Sequence, residues 1–183
     1  MKKERQKHGF SFEKGMIEEL RLTPSVGYTN KWDGFLGDTP VSIKTEKLGS
    51  DIEMADYFRN AENTLDFILI VGFWQEVKTN IVEVRFLRIN GSEWHELFPP
   101  KFCNLFARML GLVTNDYSDD EKWKHLIAVA KKKWASETDN LVRPRFKRDH
   151  KSQKRIQCAI NNKDFYDYFI PKYEIQKEDL INV

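Results

Sequence analysis

The chain has 183 residues, a hydrophobic fraction of 40%, an aromatic fraction of 13% and a net charge of +2. This is enough apolar material for one buried core, and it excludes a disordered tail, a collagen-like chain and a small disulfide scaffold. No apolar run approaches the ~18–20 residues needed to cross a bilayer, and MKKERQKHGF carries no apolar stretch of the signal-peptide kind. The widely separated Cys103 and Cys158 fit free thiols in a reducing cytoplasm, the expected location.

In chain order, Phe12, Met16, Ile17 and Leu20 recur at helical spacing, which predicts a helix over 10–22 with Ser11 as N-cap and Pro24 beyond its end. A short strand is expected over 28–33, a turn over 34–40 and a second strand over 41–45. Residues 49–59 read as loop and then a short helix. TLDFILIVGFW, 64–74, reads as a central strand buried on both faces. NIVEVRFLRI, 80–89, alternates like a further strand and is followed by Asn90-Gly91 as a turn signal. Beyond it come a loop and helix over 98–110 and an amphipathic helix over 119–134 carrying Trp123, Leu126, Ile127 and Ala130. A basic, proline-containing loop over 140–154, a strand over 155–160 and a short helix over 164–170 complete the chain. The pattern predicts an α/β or α+β protein, with one mixed central β-sheet flanked by helices.

Charge is unevenly spread. Between Glu121 and Arg155 there are twelve Lys or Arg against four acids, a net +8, so the remainder of a +2 chain carries −6. Such a block suggests a surface facing a polyanion, although a solvated helix face followed by a loop has the same composition.

The stretch KWDGFLGDTPVSIKTEK, 31–47, holds the most informative pattern. With the turn centred near Gly37-Asp38, Asp33 pairs across the hairpin with Ser42, and Lys44 is the next side chain on the same face. Glu46 continues that face about 7 Å further on, while Val41, Ile43 and Thr45 point the other way. An aspartate beside a lysine has a chemical logic. The carboxylate suits a hard divalent cation, which polarises a phosphodiester and acidifies water, and the ammonium stabilises charge growing on phosphorus. Spacing alone is equally met by a surface hairpin with ordinary charges.

The order of a helix with a glutamate, an aspartate at a strand end and then apolar-x-apolar-Lys resembles the PD-(D/E)xK nuclease core of type II restriction endonucleases. RQKHGFSFEKGMIEEL resembles the first helix of certain members, and MADYFR followed by DFILIVGFW reads like the continuation of the core. The resemblance covers roughly 5–74. It implies a restriction-endonuclease-like α/β core over about 5–90 within a single domain, 1–183, and a basic region over about 119–183 for DNA. It implies Asp33 as the metal-binding acid, Lys44 as the catalytic lysine and Glu13 as the helix carboxylate that supplements the metal site. It also implies Mg²⁺ as cofactor, with Mn²⁺ able to substitute. The chain departs from the family at Ser42, where a second acid is expected; Glu13, or more weakly Glu46, would supply the missing charge.

Other motifs add little. His8, His95, His125 and His150 have no ligand spacing, and the absence of G-x-x-x-x-G-K-[ST] leaves no sign of a nucleotide cofactor. RPRFKRDHKSQKRIQ, 143–157, supplies candidate base readers in Arg143, Arg145, Arg148, Gln153 and Arg155, and candidate phosphate contacts in Lys147, Lys151 and Lys154. A loop contacting phosphates alone is an equal alternative. The expected function is a Mg²⁺-dependent, site-specific endonuclease acting on double-stranded DNA as a homodimer, of the type II restriction class. The alternatives are a DNA-binding protein that has lost catalysis on a degenerate nuclease fold, and a non-specific or repair nuclease.

Overall fold

The computed structural model describes residues 2–25, 31–75, 80–114, 120–149 and 153–181. They form two compact units, each assembled from separate stretches of chain. No described helix is long and apolar enough to cross a membrane.

The first unit comprises Met1–Ile52, Leu65–Ser92 and Asn162–Val183. It contains helix α1 (Lys2–Glu19) and strands β1 (Thr23–Pro24), β2 (Gly34–Leu36), β3 (Thr39–Lys47), β5 (Phe67–Trp74) and β6 (Ile81–Ile89). The strands make one sheet in the order β1-β2-β3-β5-β6, and it is mixed: β3 and β5 run parallel while the other neighbours are antiparallel. Phe12, Leu20 and Leu22 bury against Val41, Ile43, Ile68 and Ile70, with Met16 and Ile17 packed alongside. Phe12, Met16 and Ile17 are the apolar stripe of α1, extended by Leu20 and Leu22 just beyond its end and laid on alternate residues of β3 and β5. An added Cβ at Gly72 would stand 2.6 Å from the Phe12 ring, so the helix approaches β5 where the sheet has no side chain. Phe73 meets Phe165 with ring centroids 5.7 Å apart, where short helices α6 (Asn162–Asp164) and α7 (Ile170–Tyr173) flank a π-helical turn at Phe165–Phe169. Phe67 through Phe73 are all buried, as expected of a central strand. Helix α8 (Glu178–Ile181) adds Leu180 to the α1 side.

The second unit comprises Glu53–Thr64 and Glu93–Asn161. Strand β4 (Ile52–Asp56), which begins at its margin, joins β7 (Val142–Asp149) and β8 (Gln153–Ile160) in a three-stranded sheet of order β4-β8-β7. Helices α2 (Tyr57–Ala61), α4 (Pro100–Thr114) and α5 (Asp120–Glu137) supply the rest, with α3 (Gly91–Glu96) at the boundary. The core is aromatic: Tyr57 lies 4.9 Å from Phe106, Phe102 4.8 Å from Trp134, and Phe106 5.4 Å from Phe146 of β7, as ring centroids. Asp56 caps α2 by accepting from the Arg59 amide at 3.0 Å. The buried Asn60 amide donates to the Met54 and Asp56 carbonyls at 2.6 and 2.8 Å.

The mixed α/β architecture matches the sequence reading, but several of its elements differ. There are two sheets, not one. Helix α1 starts at Lys2, so Ser11 lies inside it and is no cap; Lys, Glu, Arg and Gln are good helix formers without any apolar stripe. It ends at Glu19, before Arg21 at φ 52°, well short of Pro24. Lys31–Asp33 are not in a strand, and 28–30 lie outside the described residues. Gly34–Leu36 is a strand and the turn narrows to Gly37-Asp38; residues 52–56, read as loop, are β4. The basic loop of 140–154 is largely strand: Val142, Pro144 and Phe146 alternate with Arg143, Arg145 and Lys147, and the proline is tolerated because β7 is an edge.

Candidate active site

The site lies in the first unit, where β2 leaves β3. The ladder of β2 and β3 pairs Gly34 with Val41, and the Asp33 amide donates to the Val41 carbonyl at 2.9 Å, which sets Asp33 opposite Ser42. The Asp33 carbonyl accepts from the Ser25 amide at 3.3 Å. Gly34 permits this clamp, since a Cβ there would stand 3.1 Å from the Thr23 carbonyl oxygen and 3.3 Å from Leu22 Cβ. Asp33 is therefore held on both sides by backbone.

Beyond that point the Ile43 amide has no β2 partner, and the Asp33 side chain takes its place. Asp33 Oδ2 accepts from the Ile43 amide at 2.6 Å, from Lys44 Nζ at 3.4 Å and from Ser42 Oγ at 3.5 Å. Lys44 Nζ also donates to the Ile43 carbonyl at 3.2 Å. The Lys44 and Asp33 side chains are 19% and 24% exposed, so the pair is shielded but reachable. All three donors converge on Oδ2, leaving Oδ1 with no hydrogen bond from a described residue.

Glu13 follows Phe12 on α1 and reaches the same neighbourhood. Partial burial pushes its carboxyl above the ordinary carboxylate range; the Asp33 charge adds to this and the Lys44 charge opposes it. Glu13 makes no hydrogen bond or ion pair with another described residue. The structure thus brings Asp33, Lys44 and Glu13 together within one unit. Ser42 is 4% exposed and faces Asp33 with a hydroxyl where the family pattern has an acid. Glu46 stands opposite Phe73 in the β3–β5 pairing, two residues past Lys44.

The donor set fits a small divalent cation. Asp33 and Glu13 offer hard oxygen ligands with open lone pairs. Among the described residues no group of three or more His, Cys, Asp or Glu could hold an ion. Two carboxylates suit Mg²⁺, which commonly keeps one or two protein ligands and fills its other positions with water and substrate phosphate.

The basic residues fall in the second unit. Arg143, Arg145 and Lys147 lie on β7 and Arg155 on β8, where Lys147 pairs with Arg155 and Arg145 with Gln157. Lys147 Nζ lies 3.3 Å from Glu53 Oε1. Arg148, Gln153 and Lys154 continue the same two strands, while Lys151 and His150 lie outside the described residues. Gln157 was not among the base-reading candidates; its signal was the alternation of residues 153–160, visible only once they are taken as one strand. His95 is engaged with the Ala61 carbonyl at 2.6 Å, away from any ligand cluster.

Comparison with protein-family models, with curated proteins and with solved structures found no match to this chain.

Proposed function

We propose that this protein is a Mg²⁺-dependent endonuclease of the type II restriction class, built on a restriction-endonuclease-like core and acting on double-stranded DNA as a homodimer. The observation that carries the reading is the meeting of Asp33 Oδ2 and Lys44 Nζ at 3.4 Å, with the Glu13 carboxylate in electrostatic reach. Those three residues come from a helix, a strand end and the following strand, in the order the family resemblance implies.

In this reading Asp33 and Glu13 hold the cation, which when bound supplies Lewis acidity toward the scissile phosphodiester. Lys44 turns its ammonium from the Ile43 carbonyl toward the phosphate and stabilises the negative charge that grows on its non-bridging oxygens. The Ile43 amide fixes the Asp33 rotamer, so the carboxylate is oriented before substrate arrives. Ser42 contributes a hydroxyl to Asp33 and no charge, which leaves the second acidic ligand to α1. The basic strands β7 and β8 supply the contact with the DNA.

The test is digestion of a mixed-sequence plasmid by the purified chain with Mg²⁺. Discrete fragments are expected, and Asp33→Ala or Lys44→Ala should reduce cleavage by at least about a hundredfold while duplex binding persists. A smear of products would point to a nuclease without sequence preference. Intact plasmid over a wide range of metal and temperature, with duplex binding retained, would leave a non-catalytic DNA-binding protein and remove the proposal.

A further inference from the structure

Strands β7 and β8 pair antiparallel over eight residues each, as the edge and centre of the three-stranded β4-β8-β7 sheet. Its two faces are chemically opposite. Val142, Pro144, Phe146, Ile156, Cys158 and Ile160 alternate onto one face; Ile156 and Cys158 are 1% and 0% exposed, and the Phe146 ring lies 5.4 Å from Phe106 of α4 and 6.1 Å from Trp123 of α5. That face is committed to the core of its unit. The register puts Arg143, Arg145 and Lys147 with Arg155 and Gln157 on the other face.

We propose that this second face is a base-reading surface for duplex DNA, with Arg145, Gln157, Lys147 and Arg155 addressing base edges from the major groove. The inference rests on the proposed DNA substrate but concerns a different part of the molecule from Asp33, Lys44 and Glu13. Three observations carry it. The face gathers Arg143, Arg145, Lys147 and Arg155 around Gln157, a set of cations and one amide suited to the major groove, which at ~12 Å is wide enough to admit β-strands. Side chains on one face recur every two residues, about 6.6–6.8 Å, which is twice the ~3.4 Å step of a duplex strand. The cross-strand pairs Arg145–Gln157 and Lys147–Arg155 are therefore spaced to meet every second base pair.

The third observation is the mixture of groups. A surface that only neutralised phosphates would need cations alone, yet here a neutral amide, Gln157, is paired with Arg145. Arginine presents a fork to guanine O6 and N7, and glutamine pairs with adenine N6 and N7. The face thus holds a varied donor and acceptor set, which is what discrimination among base pairs requires.

The experiment is selection of bound duplexes from a random-sequence pool by the full chain with divalent metal chelated, followed by sequencing. The wild type should enrich a motif. Arg145→Lys keeps the charge but loses the fork, and Gln157→Glu is nearly isosteric; each should lower the preference for one base at one position by about five- to a hundredfold. Lys131→Ala, on the exposed side of α5, a helix that packs through Trp123 on the apolar face, should leave both motif and affinity unchanged. Thermal melting confirms that each variant is folded. An unchanged motif in folded Arg145→Lys and Gln157→Glu proteins overturns the inference, as does a wild-type pool with no enrichment or no duplex binding. Mg²⁺-dependent cleavage of plasmid by a protein that enriches no motif would retain the catalytic proposal and discard this one.

Discussion

The ring of Phe12 rests on Gly72, so close that a methyl group at position 72 would lie 2.6 Å from two of its carbons. The contact sets the height of α1 above the sheet, and with it the position of Glu13, the next residue. Gly72→Ala should destabilise the chain by about 1–3 kcal/mol, because Phe12 must leave its pocket or lift the helix. Urea denaturation measures this. The same variant should bind Mg²⁺ more weakly, read by metal-induced change in melting temperature, although residue 72 touches no candidate ligand.

Metal-free protein should lose stability as Glu13 ionises. Its carboxyl is raised by burial first and by Asp33 second, so the folded state holds the proton more tightly than the unfolded chain. The stabilising contribution is fully present below the ordinary glutamate value of 4.5 and is lost as pH rises through the higher folded value. In chelator, Glu13→Gln should therefore melt higher than wild type at neutral pH, and the gap should close on acidification. With Mg²⁺ present the order should reverse, because under the proposed function Glu13 is one of the two metal ligands. Melting curves across pH, with and without metal, check both halves.

Ser42→Asp introduces an acid where the nuclease pattern that the sequence resembles has one. The new carboxylate would enter a site that is 4% exposed and already holds Asp33, so metal-free stability should fall by about 1–3 kcal/mol or more. The divalent-metal-induced rise in melting temperature should grow in return. A variant that gains nothing from Mg²⁺ would speak against a cation between Asp33 and residue 42.

Tyr57 is fully buried among Phe98, Phe106 and Trp134, with ring centroids 5.2, 4.9 and 5.9 Å away. Burial, reinforced by Cys103, drives its hydroxyl far above the normal phenol range. The hydroxyl is buried with no hydrogen-bond partner among the described residues, so Tyr57→Phe should leave stability unchanged or raise it by up to about 1 kcal/mol, whereas Tyr57→Ala should cost about 3–5 kcal/mol through the cavity it leaves. Denaturant titration of the two variants separates the hydroxyl from the ring.

What the sequence disclosed depended on how loudly each element spoke. Phe67–Trp74 is so apolar that no other placement was open to it, and Phe12, Met16 and Leu20 repeat at helical spacing over enough turns to be read directly. The Asp33–Ser42 register followed from the narrow turn at Gly37-Asp38. The strand over 142–149 was hidden because its alternation is written in arginine, lysine and proline, residues that signal loops when counted by composition. Strand β4 is five residues long and carries Ala55 at φ 63°, a kink that no side-chain pattern announces. Glu13 was legible only by resemblance, since the helix that carries it is seated by the contact of Phe12 with Gly72, far along the chain in another element.

The gap that opens where β2 stops pairing with β3 leaves one peptide N–H answering to a side chain instead of a strand. The Ile43 amide bonds to Asp33 Oδ2 at 2.6 Å, so its proton is tied to whatever else that oxygen serves. A ligand that draws electron density from the aspartate would loosen the bond, shifting the backbone resonance of residue 43 and hastening its solvent exchange. The chain thereby carries its own spectroscopic probe of occupancy, readable without a substrate, a label or a turnover assay.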